Sequence, residues 1–253
     1  MIIIKSDKEI DIMRESGKVT CYILQGLADI IKPGISTMAI NDFVEDTIIK
    51  NNMIPSFKGY NDFPAACCVS VNDEVIHGIP SKKRLLAEGD IVSVDVGCTY
   101  KGYVSDAART YAVGEIDREA ARLIRVTEES FFEGLKFCRA GYRLSDISNA
   151  IQTHVEKAGF SAVRDFVGHG IGRAMHEEPQ IPNYGKPGRG IRLAKGMVFA
   201  IEPMINQGGY DVEVKEDNWT AVTADGKLSA HYENTVVITD GEPELLTLQK
   251  GSV

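Results

Sequence analysis

One offset runs through this chain. The segment Pro33-Gly34-Ile35-Ser36, followed by Ile40, Phe43, Val44 and Ile48, returns as Ala140-Gly141-Tyr142-Arg143, followed by Ile147, Ala150, Ile151 and Val155. Every counterpart lies 107 residues on, as Gly141 does from Gly34. Apolar residues at that spacing line one face of a helix. A longer amphipathic stretch precedes each copy: Ile12, Val19, Ile23, Leu27 and Ile30 in the first, and Ala120, Leu123, Ile124, Thr127, Phe131 and Leu135 in the second. Each half therefore opens with two helices. Downstream, Glu88 through Asp95 aligns with Lys195 through Glu202 at the same offset, and both read as buried strands entered from a turn. A last pair, Asp106 to Gly114 and Glu233 to Gly241, is 127 apart, as Glu233 is from Asp106, so about twenty residues are inserted in the second half. The insertion holds Trp219. The duplication constrains the fold to two pseudo-symmetric helix-helix-strand halves, residues 7–114 and 117–242, of one domain spanning 1–253. No low-complexity or Pro/Gly/Ser-rich linker divides them.

Packed as a pair, the halves bring Asp95 and Asp106 of one against Glu202 and Glu233 of the other. Four carboxylates in one pocket raise one another's pKa and cannot all ionise uncompensated. Two divalent cations supply the opposing charge, and bridging carboxylates hold two ions roughly 3.5–4 Å apart. Acids ordinarily sit on solvated faces. Asp95, however, lies within Ile91-Val92-Ser93-Val94-Asp95-Val96, and Glu202 within Val198-Phe199-Ala200-Ile201-Glu202-Pro203, both too apolar for an exposed acid. A carboxylate in a buried strand needs a cation or a dense set of hydrogen bonds. Asp106 and Glu233 say less alone and draw their weight from the repeat.

Histidine is an independent line. Of five, His169 is enclosed in Gly168-His169-Gly170-Ile171-Gly172-Arg173, where small neighbours let an imidazole reach a ligand and the backbone take positive φ. His176 follows in His176-Glu177-Glu178-Pro179. His77 precedes Gly78-Ile79-Pro80 in a loop, where a satisfied loop histidine is the plainer reading. His154 falls on the second helix of its half and reads as a surface residue. His231 shares a strand face with Glu233; it either lines the site or stands behind it.

Composition narrows the classes. A formal net charge of −8 argues against a general nucleic-acid surface, which needs cations in excess. The compact basic run Lys82-Lys83-Arg84 reads as a solvated loop, with contact to a polyanion such as the ribosome as the alternative. Five cysteines, Cys21, Cys67, Cys68, Cys98 and Cys138, are odd in number and form no CxxC pair, so they read as reduced thiols. The apolar run Met1-Ile2-Ile3-Ile4 stops at Lys5, short of a secretion signal or a membrane span. A cytoplasmic protein is expected, with no membrane partner.

His77-Gly78-Ile79-Pro80, Asp95 through Asp106, Gly168 through Pro179, Glu202-Pro203 and Tyr232-Glu233-Asn234-Thr235 together make the chain resemble the type I methionine aminopeptidases of the pita-bread superfamily. The resemblance covers nearly the whole chain. It implies an α+β pita-bread fold, its two halves set around a central antiparallel sheet in a single catalytic domain. It also implies Asp95, Asp106, His169, Glu202 and Glu233 as ligands to two divalent ions, with Asp106 and Glu233 bridging and Asp95 chelating one. Cobalt, manganese, iron or zinc would suit that donor set. His77 and His176 would bind the scissile amide and stabilise the tetrahedral intermediate, with Glu202 helping to move protons. Such chemistry is metal-assisted amide hydrolysis, in which the ions lower the pKa of a water to about 7.

The methionine pocket implied by the resemblance maps onto Phe57, Tyr60, Phe63, Cys68, His77, His176 and Trp219, types that suit a thioether. For each aromatic the plain alternative is core packing, and for Cys68 a small buried thiol. Two departures stand out: Met175 where many relatives carry phenylalanine, and Asn234 where many carry histidine. Neither removes a ligand. The chain is expected to lack both an N-terminal zinc-finger extension and, separately, the long helical insertion that marks type II enzymes, and relatives of this short form are usually monomers acting on nascent polypeptides. The rivals are a proline-specific peptidase of the same fold, which usually carries a further N-terminal domain, and a pita-bread module that binds without catalysis.

Overall fold

The computed structural model describes residues 1–248. Its helices fall in two pairs, α1 (Asp7–Ile30) and α2 (Thr37–Lys50), then α3 (Arg118–Leu135) and α4 (Leu144–Lys157). Local chemistry starts them. Ser36 Oγ accepts from the Ala39 N–H at 3.2 Å and Asp117 Oδ1 from the Ala120 N–H at 2.7 Å, each satisfying a donor the first helical turn leaves open. At α1 the Ser6 N–H instead donates to Glu9 at 2.9 Å. The repeat positions are the core positions: Ile40, Val44 and Ile48 on α2, and their counterparts Ile147, Ile151 and Val155 on α4, are all 0% exposed. Each such burial stabilises the fold by about 1.5–3 kcal/mol.

Strands follow each helix pair. The first half holds β1 (Ile54–Pro55), β2 (Cys67–Val71), β3 (Glu74–Ile76), β4 (Ile91–Tyr100) and β5 (Tyr103–Ala112). The second holds β6 (Ser161–Ala162), β7 (Gly168–Gly170), β8 (Glu177–Ile181), β9 (Val198–Ile201), β10 (Met204–Asn206), β11 (Val212–Val214), β12 (Ala221–Thr223), β13 (Ser229–His231), β14 (Asn234–Val237) and β15 (Glu244–Leu245). Of four sheets among the described residues, two carry the site: in one β4 pairs with β1, β2 and β5, in the other the order is β15-β14-β9-β7-β8, and every pairing is antiparallel. The sheets meet where β5 lies beside β14. There the Asp106 N–H donates to Thr235 Oγ1 at 2.9 Å, that hydroxyl donates back to the Asp106 carbonyl at 2.8 Å, and the Glu233 N–H donates to the Ala108 carbonyl at 2.9 Å. These halves around a central antiparallel sheet are the α+β pita-bread architecture the sequence led us to expect.

The insertion forms β11 and β12, with Trp219 between them. It reaches back to the first half, where Ala221 of β12 pairs with Ile76 of β3, the residue before His77. Among the described residues no helix is long and apolar enough to cross a membrane.

Candidate metal centre and the pocket beside it

Strand register brings the acids together. Lys101 and Gly102 both have positive φ, 47° and 78°, which makes a two-residue hairpin turn whose twist matches the flanking strands. That turn sets Gly97 opposite Asp106 and Asp95 opposite Ala108. Asp95 is two residues from Gly97, so it shares a sheet face with Asp106. In the second sheet Ala200 pairs with both His169 and Thr235. Glu202 directly follows β9 and Glu233 directly precedes β14, and Asn234 pairs with Ile201, so both acids stand at the same end of these paired strands, next to His169 on β7.

Two local expectations need correction. Glu202 and Glu233 are not within strands: β9 ends at Ile201, because Pro203 has no N–H to continue the ladder, and Glu233 falls between β13, which ends at His231, and β14, which starts at Asn234. His169 lies on strand β7, and none of its neighbours Gly168, Gly170 and Gly172 has positive φ. Those glycines allow close approach instead. A Cβ on Gly168 would stand 2.5 Å from the Ala200 carbonyl oxygen, and one on Gly170 2.3 Å from that of Glu178. The positive φ, 59°, belongs to His77.

Asp106, His169 and Glu233 each offer a ligand atom, and the three atoms lie within 4.8 Å of one another. Glu202 Oε1 is 3.5 Å from His169 Nε2. Asp95 Oδ1, Asp106 Oδ1 and Glu233 Oε1 are buried and, among the described residues, without a hydrogen-bond partner. Burial pushes all four carboxyls above their ordinary range; Glu233 and Asp95 add to it at Asp106, Asp95 and Asp106 at Glu202, and Asp95 and Glu202 at Glu233. Burial, with a smaller effect from His176, holds His169 neutral by lowering its pKa to about 3. Its Nδ1 meets the Gly170 carbonyl at 2.9 Å; as donor there it leaves the Nε2 lone pair facing the acids. Orphaned buried oxygens, mutually repelling acids and an imidazole lone pair are the donor set a divalent cation satisfies.

Removing bound metal therefore changes the pH dependence of stability. An acid whose folded pKa is raised contributes stability that is present at low pH and lost as pH rises through the raised value. The histidines, lowered in the fold, act in the opposite sense but only below about 6.5. Above that pH the raised acids govern, until the buried thiols, also raised in the fold, act in the same sense toward pH 9. Chelator-stripped protein is expected to show a melting temperature that falls as pH rises from 6.5 through about 7, where Asp95 titrates, while metal-loaded protein stays nearly level; parallel melts would contradict the cation role.

A cavity of about 210 Å³ opens onto the cluster. Phe57, Tyr60, Phe63, Cys68, His77, His176 and Trp219, all seven residues the resemblance implied, line it together with Asn61 and Met175. Cys68 pairs with Asp95 across β2 and β4, which puts its thiol beside the acids. Trp219 meets Phe63 edge-on at 5.1 Å and His77 at 6.0 Å. Burial, with a smaller effect from His176, brings the His77 pKa down to about 4. Burial likewise lowers His176, whose Nδ1 lies 2.7 Å from the Tyr60 hydroxyl and whose ring is 4.3 Å from that of His169.

Of the two histidines left aside, His154 lies partly exposed against Glu129 at 3.2 Å. His231 is 2% exposed, with Nε2 at 3.7 Å from Glu202 and 4.0 Å from Glu233, so it faces the acids. Two supports went unrecognised in the sequence. Thr235 joins the sheets, and Arg109 donates to the Glu233 carbonyl and to Asn234 Oδ1 while its guanidinium lies 4.0 Å over the Tyr232 ring. Asn234 also accepts from Thr247 at 2.9 Å, which gives that departure a structural place. The five cysteines are free thiols.

A pita-bread fold with paired acids and one histidine at its centre defines a metal-dependent hydrolase. The chain belongs to metallopeptidase family M24, whose model matches residues 11–240. It is 58% identical to a methionine aminopeptidase of Clostridium acetobutylicum over 98% of this chain and 99% of that protein, and 51% identical to methionine aminopeptidase 1 of Bacillus subtilis over 98% and 99%. The crystal structure of the Thermotoga maritima methionine aminopeptidase superposes with a TM-score of 0.97 at 48% identity, covering 98% of this chain and 100% of that one. A Xaa-Pro dipeptidase from Bacillus anthracis shares the fold at a TM-score of 0.79 and 24% identity, but this chain covers only 63% of it.

Proposed function

We propose that this protein removes the N-terminal methionine from peptides and nascent polypeptides with a small second residue. One observation carries the chemistry: an apolar, aromatic-lined pocket for a single side chain shares its wall with the buried acid–histidine cluster. The pocket accepts one residue, and an ion held at the cluster would take its free amine, which restricts cleavage to the chain end. Asp95, Asp106, His169, Glu202 and Glu233 would hold two divalent cations, manganese, iron, cobalt or zinc. Two such ions balance four carboxylates. When bound they supply Lewis acidity, polarising the scissile carbonyl and acidifying a water.

The protein's own groups do the rest. Tyr60 fixes the His176 ring through Nδ1; with the tyrosine as donor, Nε2 carries the proton and is the group that can donate to a developing oxyanion. Glu202, with Oε1 3.5 Å from His169 Nε2 at the edge of the cluster, is placed to take a proton and pass it to the leaving amine. His77, held neutral, presents its ring at the pocket wall beside the scissile bond. Trp219, Phe63 and Phe57 exclude water and contact the thioether. Truncating Trp219 to Ala is expected to raise KM roughly tenfold with a smaller change in kcat, the mark of lost ground-state binding; steady-state assays on Met-Ala-Ser measure it, and an unchanged KM removes Trp219 from the pocket.

The test of the function is mass spectrometry of Met-Ala-Ser and Ala-Pro-Ala after incubation with metal-loaded and chelator-treated protein. Loss of methionine, only with metal, is expected. Cleavage before proline would move the protein to its proline-specific relatives, and no cleavage with any divalent metal would leave a binding module. The same reading has the chain acting as one catalytic domain and a monomer in the cytoplasm. Its free thiols support that compartment, and the exposed run Lys82-Lys83-Arg84 offers a contact for the ribosome.

A further inference from the structure

The segment before α1 contributes a buried cation to the loop that carries His176. Lys5 Nζ lies 2.6 Å from Glu177 Oε2, and the two side chains are 3% and 6% exposed. The other oxygen of Glu177 accepts from the backbone N–H groups of Arg173 at 2.8 Å and Ala174 at 3.3 Å. One carboxylate thus closes the stretch from Arg173 to Glu177 on itself. Between those ends sit Met175 and His176, both on the pocket wall.

Two glycines make room for the lysine. A Cβ on Gly172 would stand 2.5 Å from Lys5 Cε, and one on Gly196 2.7 Å from the Lys5 carbonyl oxygen. The Lys5 N–H donates to the Gly196 carbonyl at 2.8 Å, so the backbone is pinned as well as the ammonium. A surface ion pair would not justify such accommodation, since exposed pairs contribute little. A buried carboxylate that organises a turn does need its counter-charge.

We propose that Lys5 is a positioning residue: through Glu177 it holds the loop in the shape that aims His176 at the substrate carbonyl. Without the ammonium, Glu177 turns toward water and releases the two N–H groups, and the loop loses its closure. His176 then remains present but misplaced. Displacements of that kind, remote from the chemistry, cost roughly 10–100-fold in rate. The inference rests on the role proposed for His176 above.

The experiment uses the full, metal-loaded chain with Lys5→Met, Lys5→Arg and Glu177→Gln, assayed on Met-Ala-Ser well below each variant's melting temperature. Lys5→Met is expected to lose roughly 10–100-fold in kcat, with metal content unchanged and a smaller change in KM. Lys5→Arg, which keeps the charge, should recover most of the loss. If Lys5→Met does not fold, Glu177→Gln carries the test by the same readouts. A lower melting temperature with wild-type kcat would show a purely structural pair and overturn the proposal. Histidine-selective NMR supplies a readout independent of turnover: the His176 ring signals should shift or broaden in Lys5→Met, and unchanged signals would overturn the proposal even if the wild type proved inactive. Wild-type inactivity itself would count against the proposed function alone.

Discussion

Asp106→Ala should lose metal and activity together, with kcat/KM on a Met-Ala peptide down by roughly 10³-fold or more, the scale of several kcal/mol of lost charge stabilisation. Asp106 is 4% exposed, offers a ligand atom within 4.8 Å of those of His169 and Glu233, and has an orphaned carboxylate oxygen. Its backbone is tied to Thr235 on both sides, so the strand should survive loss of the side chain. Elemental analysis of the purified variant and a peptide assay at saturating metal check the two parts separately. A metal-replete and active Asp106→Ala would sink the assignment of this residue as a bridge.

His176→Ala should divide those two effects. His176 stands outside the ligand cluster, on the pocket side, and its expected work is to donate to the carbonyl as charge develops. Loss of one such donor elsewhere costs about 10²–10³ in turnover. The expected result is a kcat lower by about that factor, with KM changed much less and metal content near wild type. Tyr60→Phe, which frees Nδ1 without removing the ring, should fall in the same direction by a smaller factor. Equal losses in metal content and turnover would make His176 a ligand and not a donor.

Much of this architecture was legible because duplication doubles the signal. A helical spacing seen once is ambiguous, but Ile40, Val44 and Ile48 recurring as Ile147, Ile151 and Val155 could be read as two buried faces, and all six are fully buried. The acids were legible for the same reason: a carboxylate in an apolar strand is costly, and two at equivalent positions call for a shared ion. What stayed hidden were groups whose importance lies in tertiary placement. Thr235 is an ordinary strand threonine until β5 lies beside it. Arg109 looks like a surface cation until Tyr232 covers it. His231 could be placed on a face but not at a distance. The glycines around His169 were misread because sequence does not separate a need for positive φ from a need for space; Ala200 and Glu178, which crowd them, are distant along the chain.

The turn at Lys101 and Gly102 touches no substrate, yet it decides which acids can meet. Strand residues alternate faces, so a one-residue slip in the register that turn sets would rotate Asp106 to the far side of the sheet while leaving every side chain of the site unchanged in identity. Register there is thus a chemical variable of odd and even. The second half offers a contrast, since some twenty more residues lie between Glu202 and Glu233 than between Asp95 and Asp106, and that longer excursion became the wall that carries Trp219. In one arm of the duplication, growth supplied a wall of the proposed methionine pocket; in the other, the register of a hairpin keeps the proposed metal ligands in step.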